Sequence, residues 1–325
     1  MKDVEQAWTL IRHKVNQTPV VSDPDLDAEL GCTLYCKCEN LQRTGAFKFR
    51  GASHAIARLR QQGSDGDVAT ESSGNHGAAL ALAARLDGRQ AHISMPRNSV
   101  PAKILSVRRN SGVIHFCEPD HQSRADGLAH LVGSGLIPVH PYDDDAIITG
   151  QGTAALELLS QVKDIDMLLA PIGGGGLISG MSVVAAATGI EIVGAEPEGA
   201  ADAHASFEAG KRVESWRPDT IADGLRALIG DRTFMLIKQN VSRVLLISDE
   251  EIKQAMALFW RYIRLPIEPS SATVIAAIRR YPEYFRGKRV GAVITGGNID
   301  AMDWATIIGD DQRSEGASRE HDDND

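Results

Sequence analysis

The chain alternates short apolar runs with longer helix-like stretches, and this alternation limits the possible fold more than any other feature. The run 67–70 precedes an Ala-rich stretch at 77–86, and the run 91–95 precedes a helix-like stretch at 101–111. The same order continues with strand-like runs at 113–117, 137–139, 167–171 and 191–195 and with helix-like stretches at 122–133 and 150–161. Such alternation is typical of βαβ units, whose strands form parallel sheets. We therefore predict an α/β fold with mainly parallel sheets flanked by helices.

The size and charge of the chain indicate a globular protein and limit the kinds of partner it can bind. A chain of 325 residues, 43% of them hydrophobic, is long enough for one large or two ordinary domains with buried cores. Of the formal net charge of −9, residues 309–325 contribute −5, because they carry seven Asp or Glu against two Arg. The rest is nearly balanced, so the sequence indicates neither a nucleic-acid surface nor a polybasic membrane patch. The acidic segment 309–325 lacks large apolar residues, and we predict a disordered tail there.

The sequence indicates a reducing compartment, and we expect a cytoplasmic protein. The N-terminus is charged where a secretory signal would be apolar. The uncharged stretch 167–190 is long enough to span a bilayer, but Pro171 and four consecutive glycines interrupt it. The four cysteines show neither metal-ligand spacing nor a disulfide framework. Cys36 and Cys38 alternate with their neighbours as in a strand, which favours buried, inert thiols.

A lysine between apolar neighbours is the first candidate for chemistry. Lys48 stands between Phe47 and Phe49, after the turn residue Gly45. Burial lowers the pKa of a lysine and raises the fraction of free amine that can attack an aldehyde, as a Schiff-base lysine must. On this segment alone, a side chain that extends past its neighbours into water is an equally good interpretation.

Three strand-to-helix or strand-to-loop junctions could bind anions. Gly173 to Gly176 follow a strand and open a helix, so backbone N–H groups can hold a phosphate there, although a close-packing turn is the alternative. The loop has neither the P-loop ending nor G-x-G-x-x-G spacing. Residues 71–77, Glu-Ser-Ser-Gly-Asn-His-Gly, can bind a carboxylate or merely cap a helix. Residues 295–298, Thr-Gly-Gly-Asn, are a weak signal by themselves.

In order and spacing, these segments resemble the fold type II pyridoxal-phosphate (PLP) enzymes, specifically the serine racemase and serine/threonine dehydratase family, which includes threonine ammonia-lyase. The resemblance covers about residues 4–305. It implies a tryptophan synthase beta-like fold of two domains, each with a mainly parallel sheet. Residues 1–66 and 142–308 would form the large PLP-binding domain and residues 67–141 the small domain, with the active site in the cleft between them. It also suggests a homodimer.

The resemblance implies roles for individual residues around the cofactor. Lys48 would form the Schiff base and afterwards move the Cα proton, with Ser73 able to act on the opposite face. Phe47 would pack on one face of the pyridine ring, and Gly224 would leave room on the other. Asn75 would hydrogen-bond the phenolic oxygen, and Thr295 would meet the ring nitrogen. The phosphate would be held by Gly173, Gly174, Gly175, Gly176 and Leu177, and the substrate by Ser72, Ser73, Asn75, His76 and Arg124.

The hydroxyl of Thr295 favours one reaction type. It cannot stabilise a pyridinium as a carboxylate can, so the ring should be a weaker electron sink and should favour expulsion of a β-leaving group. We therefore expect dehydration and deamination of an L-β-hydroxy amino acid, such as threonine or serine, to a 2-oxo acid and ammonia. No regulatory domain is expected after residue 298, because only a short, acidic segment follows.

Other functions stay open at this point. Ser73 would permit a serine or aspartate racemase. Ala227 stands where serine racemases carry a serine, and with Arg124 it is compatible with a dehydratase for 3-hydroxyaspartate or phenylserine. A non-catalytic binding relative with the same fold is a further alternative, against which Lys48 and Asn75 argue.

A metal site is also implied by the resemblance. Glu196, the carbonyl of Ala200, and Asp202 match the family segment that binds a divalent cation. Two carboxylates, one carbonyl and three waters would complete the six oxygen ligands of Mg²⁺, and Ca²⁺ or Mn²⁺ would also be accepted. An acidic surface loop after a strand is the alternative.

Overall fold

The computed structural model describes residues 1–309, apart from the side chain of His121, and contains ten strands, fourteen α-helices and four short 3-10 helices in that part of the chain. The strands are β1 (Val20–Val21), β2 (Thr33–Cys38), β3 (Val68–Glu71), β4 (Ala91–Pro96), β5 (Val113–Cys117), β6 (Ile137–Pro138), β7 (Met167–Pro171), β8 (Glu191–Pro197), β9 (Arg243–Ile247) and β10 (Arg289–Ile294). The predicted tail beyond residue 309 lies outside the described residues.

The helices are α1 (Lys2–Ile11), α2 (Pro24–Leu30), α3 (Lys48–Gln61), α4 (Asn75–Leu86), α5 (Pro101–Arg109), α6 (His121–Gly133), α7 (Asp145–Gln161), α8 (Gly176–Thr188), α9 (Asp202–Ala209), α10 (Asp231–Asn240), α11 (Asp249–Ile263), α12 (Pro269–Arg280) and α13 (Pro282–Phe285). Residues 301–309 form α14. Local signals set several of these starts. Asp144 accepts a hydrogen bond from the backbone N–H of Ile147, and Ser248 and Glu251 form a capping box at the start of α11.

The strands form two sheets. The larger has the order β1-β2-β10-β7-β8-β9, in which β1 pairs with β2 antiparallel and all other pairs are parallel. The smaller has the order β5-β4-β3-β6 and is parallel throughout. The predicted α/β class with two mainly parallel sheets is confirmed. The exact domain limits stay a prediction.

Helices cover both faces of the larger sheet, which explains its continuous apolar strands. All five residues of β7 are buried. Leu169 packs in one core cluster with side chains of α11 and α12, whereas Leu168 and Ala170 pack in another with side chains of α7 and α8. A strand buried on both faces needs apolar residues at every position. The sequence run 167–171 therefore reads as uniformly apolar instead of alternating.

The smaller sheet has its own core, and α3 connects this core to the rest of the molecule. Phe49 and Ala52 of α3 pack with the smaller-sheet residues Val68 and Ile93, and Ile147 of α7 belongs to the same cluster. Lys48 begins α3. The helix that carries the candidate lysine is thus packed against both parts of the structure.

The uncharged stretch 167–190 and the cysteines have defined places in the fold. None of the helices within residues 1–309 is long and apolar enough to cross a membrane. The uncharged stretch 167–190 forms β7, a glycine loop and α8, as predicted. Cys36 and Cys38 lie buried in β2, and all four cysteines are free thiols.

Candidate active site

A cavity of about 480 Å³ opens between the two sheets, where β3, β7 and β10 end. Ligands of open parallel sheets bind at these carboxyl ends, and the volume suits a small-molecule site. The lining contains every residue predicted to hold cofactor or substrate: Phe47, Lys48, Ser72, Ser73, Asn75, His76, Arg124, Gly173, Gly174, Gly175, Gly176, Leu177, Gly224 and Thr295. Segments far apart in sequence therefore meet at one site.

Lys48 is held at the cavity by backbone contacts of the preceding turn. The N–H of Phe47 donates to the carbonyl of Thr295 at 3.0 Å, and Ala46 pairs with Gly296 in an isolated bridge. The Lys48 ammonium donates to the carbonyl of Pro141 at 3.0 Å. Burial lowers the pKa of Lys48 to about 8. The Lys48 side chain is half-buried and lines the cavity, and its ammonium has a protein acceptor there.

The glycine loop leads from β7 into α8 and is closely packed. Gly175 has a φ of +87°, in the left-handed region that favours glycine. A Cβ on Gly174 would lie 2.5 Å from the ring of Tyr142, and one on Gly173 would lie 2.9 Å from the Cα of Leu225. The hydroxyl of Thr233 donates to the carbonyl of Gly174 at 2.8 Å. The loop thus fits close packing and also presents a helix N-terminus to the cavity.

The residues after β3 divide into structural and cavity-facing groups. The Ser72 hydroxyl accepts hydrogen bonds from the N–H groups of Gly74 at 3.1 Å and Gly77 at 2.9 Å, so it caps α4. Ser73 is half-buried and lines the cavity. His76 is buried, and burial together with the nearby Lys48 ammonium holds its pKa well below the usual range. A neutral imidazole therefore lies beside Lys48.

Asn75 is the centre of a network that the sequence did not reveal. Its Nδ2 donates to Glu268 Oε1 at 2.8 Å, and its Oδ1 accepts from Asn298 Nδ2 at 3.0 Å. Lys103 Nζ lies 3.5 Å from Glu268 Oε2 and 2.5 Å from Asp223 Oδ2. Burial raises the pKa of Glu268, and the Lys103 ammonium opposes this rise. No local motif marks Glu268 or Lys103, because their contacts join segments far apart in the chain.

Thr295 and Gly224 lie on the α12 side of the cavity. The Thr295 hydroxyl is 3.0 Å from the hydroxyl of Ser271, which also hydrogen-bonds both backbone polar groups of Gly296. The N–H of Gly224 donates to the Ser270 hydroxyl at 3.1 Å. The serine pair at the start of α12 thus fixes the two backbone segments that carry Thr295 and Gly224.

Arg124 gives the cavity a cation without a protein counter-charge. It lies on α6, half-buried, and its guanidinium forms no hydrogen bond or ion pair with any residue in the described range 1–309. Its backbone carbonyl accepts from the Ser94 hydroxyl at 3.1 Å, which fixes α6 on β4. Lys103, by contrast, is neutralised by two carboxylates.

The predicted metal ligands lie together at the end of β8, outside the cavity lining. Glu196 accepts hydrogen bonds from the N–H groups of Ala203 and His204, and Asp202 accepts one from Ile229. Burial, and then the charge of Asp202, raise the pKa of Glu196 well above its usual range. Burial raises the pKa of Asp202 to about 6.

A divalent cation fits this carboxylate pair. Glu196, Ala200 and Asp202 are all buried, which contradicts the alternative of an exposed acidic loop. Within residues 1–309, no group of three or more His, Cys, Asp and Glu side chains could hold a metal ion. The predicted metal ligands include only two side chains of these types, Glu196 and Asp202. The third protein ligand is the backbone carbonyl of Ala200.

Comparisons with known proteins show the family of the chain. The family model described as "Pyridoxal-phosphate dependent enzyme" matches residues 11–296. A beta-hydroxyaspartate dehydratase of Paracoccus denitrificans is 43% identical over 302 residues, covering 92% of this chain and 96% of that protein. An L-threo-3-hydroxyaspartate ammonia-lyase of a Pseudomonas species is 38% identical and covers 94% and 97%. The structure of maize serine racemase has a TM-score of 0.90 and 36% identity, with 98% of both chains covered.

Proposed function

The chain belongs to the pyridoxal-phosphate-dependent enzymes, and from this premise we propose that it removes water and ammonia from an L-β-hydroxy amino acid to give a 2-oxo acid. The observation that carries the proposal is the desolvated amine of Lys48, which lines the same cavity as the glycine loop. The dehydratase and ammonia-lyase names of two relatives support the same reaction type. Threonine and serine are candidate substrates of this type.

The cavity residues fit PLP. The amide groups of Gly173, Gly174, Gly175, Gly176 and Leu177 would hold the phosphate. Phe47 and Gly224 would lie against the two faces of the ring, Asn75 would donate to its phenolic oxygen, and Thr295 would meet its nitrogen. The left-handed Gly175 and the glycines packed against Tyr142 leave the loop backbone free of side chains, as an amide cradle requires. When bound, PLP supplies an aldehyde for the lysine and an electron sink for the substrate.

The protein residues would supply binding and proton transfer. The Nζ atom of Lys48 would take the Cα proton, and its lowered pKa provides the free amine near neutral pH. The α4 N-terminus at Asn75 and His76 would bind the substrate carboxylate with backbone N–H groups, while Ser72 holds that turn in place. Thr295 is a hydroxyl, so the ring nitrogen would lack a carboxylate partner and elimination would be favoured.

Arg124 favours a substrate with a second carboxylate. An arginine that lines the cavity without a counter-charge can bind a carboxylate with two parallel hydrogen bonds. We propose 3-hydroxyaspartate as the preferred substrate. The names of two relatives, a beta-hydroxyaspartate dehydratase and an L-threo-3-hydroxyaspartate ammonia-lyase, support this choice. Ala227 leaves more room on the substrate side than a serine would.

A substrate panel tests the reaction and the preference together. Purified protein loaded with PLP is given threonine, serine, 3-hydroxyaspartate and phenylserine, and 2-oxo acid and ammonia are measured. Arg124→Met should lower kcat/KM for 3-hydroxyaspartate by roughly 100-fold and for threonine by less than about threefold. Arg97→Met, at an exposed arginine paired with Glu118, is the matched control and should change neither. Loaded protein that releases no 2-oxo acid from any of the four substrates would overturn the proposal.

Racemisation is the second candidate function, because Ser73 also lines the cavity. Proton return to the face opposite Lys48 would need this hydroxyl. Chirality of the remaining substrate and exchange of Cα hydrogen for deuterium distinguish racemisation from elimination. If Ser73 does this work, Ser73→Ala should abolish inversion while 2-oxo acid release continues.

We further propose a Mg²⁺ site at Glu196, Ala200 and Asp202, with Ca²⁺ or Mn²⁺ as substitutes, and a cytoplasmic homodimer. A cation would offset the mutual repulsion of the two buried carboxylates. In thermal unfolding, Mg²⁺ should raise the midpoint of the wild-type protein, whereas Asp202→Asn should gain nothing from it. Four free thiols support a reducing compartment. Family membership supports the dimer, which sedimentation can test.

A further inference from the structure

We propose that Glu268 and Asn298 are positioning residues that hold the Asn75 side-chain amide with its nitrogen, and not its oxygen, available to the phenolic oxygen of PLP. The inference rests on the proposed function, in which Asn75 contacts that oxygen. It concerns two residues that would act through Asn75 and that lie on different segments of the larger-sheet part of the chain.

Glu268 fixes one end of the Asn75 amide. A carboxylate oxygen only accepts hydrogen bonds, so the Asn75 atom that lies 2.8 Å from Glu268 Oε1 must be the nitrogen. The Glu268 side chain is buried, and Lys103 Nζ at 3.5 Å from its second oxygen keeps a positive charge beside it. Burial raises the pKa of Glu268, and the Lys103 ammonium opposes that rise. The ion pair therefore favours the ionised form, which accepts the Asn75 hydrogen bond.

Asn298 fixes the other end. Its Nδ2 donates to the carbonyl of Thr44 at 2.8 Å, and because a carbonyl only accepts, the orientation of the Asn298 amide is defined. The second hydrogen of the same nitrogen goes to Asn75 Oδ1 at 3.0 Å. The Asn75 oxygen is thus occupied, and its nitrogen keeps one hydrogen beyond the one given to Glu268.

Three glycines leave the space that this network occupies. A Cβ on Gly296 would collide with the Glu268 carboxylate, one on Gly45 with the Asn298 amide, and one on Gly74 with the Lys103 stem. These glycines belong to the three segments that also carry Thr295, Lys48 and Asn75. The lack of a side chain at these three glycines is therefore a second observation, besides the hydrogen bonds, that the network is built into these segments.

The chemical consequence concerns the proton on the phenolic oxygen. An N–H donor stabilises the ionised oxygen, whereas an amide oxygen facing it would favour retention of its proton. The ionised form of the lysine-bound cofactor absorbs in the visible range, and the neutral form absorbs in the near ultraviolet. The ratio of the two bands therefore reports the orientation of Asn75 without any substrate.

Glu268→Gln tests the inference because glutamine has only one side-chain oxygen. Lys103 and Asn75 Nδ2 both need an oxygen, and the lysine charge should win it, which leaves the glutamine NH₂ group facing Asn75. The two Asn75 orientations then become comparable in energy, and we expect the visible band of the PLP-loaded protein to fall to roughly half. Affinity for PLP, measured by fluorescence titration, should weaken severalfold.

Two controls distinguish an effect on the orientation of Asn75 from a general disturbance of the cavity. Asp223→Asn removes the other carboxylate beside Lys103 without touching Asn75, so the wild-type band ratio should persist. In an Asn75→Ala background, Glu268→Gln should cause no additional spectral change. Asn298→Ala is the second variant if Glu268→Gln does not fold, and it should lower the visible band through the same dependence on Asn75.

The outcomes are distinct. A folded Glu268→Gln protein with the wild-type band ratio would overturn the inference, and so would a spectral change that persists in the Asn75→Ala background. If Glu268→Gln does not fold, an unchanged band ratio in Asn298→Ala overturns it. Failure of wild-type protein to develop a visible band with added PLP would instead overturn the proposed function.

Discussion

Lys48 is a desolvated amine with the Pro141 carbonyl as its hydrogen-bond acceptor and no carboxylate partner among residues 1–309. With a pKa of about 8, about one tenth of the amine is free at pH 7, against about one in three thousand for an ordinary lysine. We expect the rate of PLP capture by cofactor-free protein to rise with pH and to level off above about 8. Stopped-flow measurement of the visible band between pH 6.5 and 9.5 provides the test.

The control for this profile is Lys48→Arg, which keeps a positive charge but has no free amine in this range, so no visible band should form. A wild-type rate that continues to climb through pH 10 would indicate an ordinary, solvated lysine. The sequence could identify Lys48 because its apolar neighbours are adjacent in the chain. It could not reveal the Pro141 carbonyl, which reaches the ammonium only through folding.

Two of the three arginines on helix α3 lie in opposite environments, and we expect them to contribute differently to stability. Arg50 is fully buried and contacts Glu39 Oε1 at 2.7 Å and Glu157 Oε1 at 3.1 Å, while Lys37 also pairs with Glu157. Arg60, on the same helix, has a side chain that is 64% exposed and lies 2.9 Å from Asp87. The buried group balances two cations against two carboxylates.

We expect Arg50→Met to lower the free energy of unfolding by about 3–5 kcal/mol, because it leaves a buried carboxylate without a counter-charge. Arg60→Met, the same substitution on the same helix, should cost less than about 1 kcal/mol because water screens its ion pair. Urea unfolding followed by circular dichroism measures both values. Similar losses in the two variants would contradict the assignment of stability to the buried cluster.

Helix boundaries show where local pattern was sufficient and where it was not. The predicted strands 113–117 and 167–171 coincide with β5 and β7, because their apolar runs have clear ends. The predicted helix 150–161 begins earlier, at Asp145, because Asp144 caps it and its polar first turn resembles a loop. A capping residue such as Asp144 can be found in the sequence, but whether its side chain accepts the hydrogen bond of the first turn is seen only in the folded chain.

At the scale of the whole molecule, the sequence motifs predicted which residues line the cavity. They did not predict the ion pairs that join the regions of the two sheets. Cavity-lining residues such as Ser72 and Thr295 lie directly after strands, so βαβ topology alone places them at one edge. Lys103 and Glu268 have no such positional rule. Their pairing depends on how the region of the smaller sheet sits against the larger one, which no short pattern encodes.

The Lys103 ion pairs should therefore hold the two regions together. Lys103 lies on α5, beside the smaller sheet, and its partners Asp223 and Glu268 belong to the larger-sheet region. We expect Lys103→Met to lower the free energy of unfolding by about 3 kcal/mol, because one buried and one partly buried carboxylate lose their cation. Lys253→Met, at the exposed pair with Glu250, should stay within about 0.5 kcal/mol.

Hydrogen exchange distinguishes a contact between regions from local damage. If Lys103 links the two regions, amides of α5 and of residues 223–225 should both exchange faster in Lys103→Met, since each side loses the same partner. Faster exchange confined to α5 would mean that the lysine stabilises only its own helix. Because Lys103 also favours the ionised form of Glu268 that Asn75 needs, the same variant should lower the visible band of the PLP-loaded protein. The ion pairs between the two regions and the chemistry in the cavity would then depend on the same lysine.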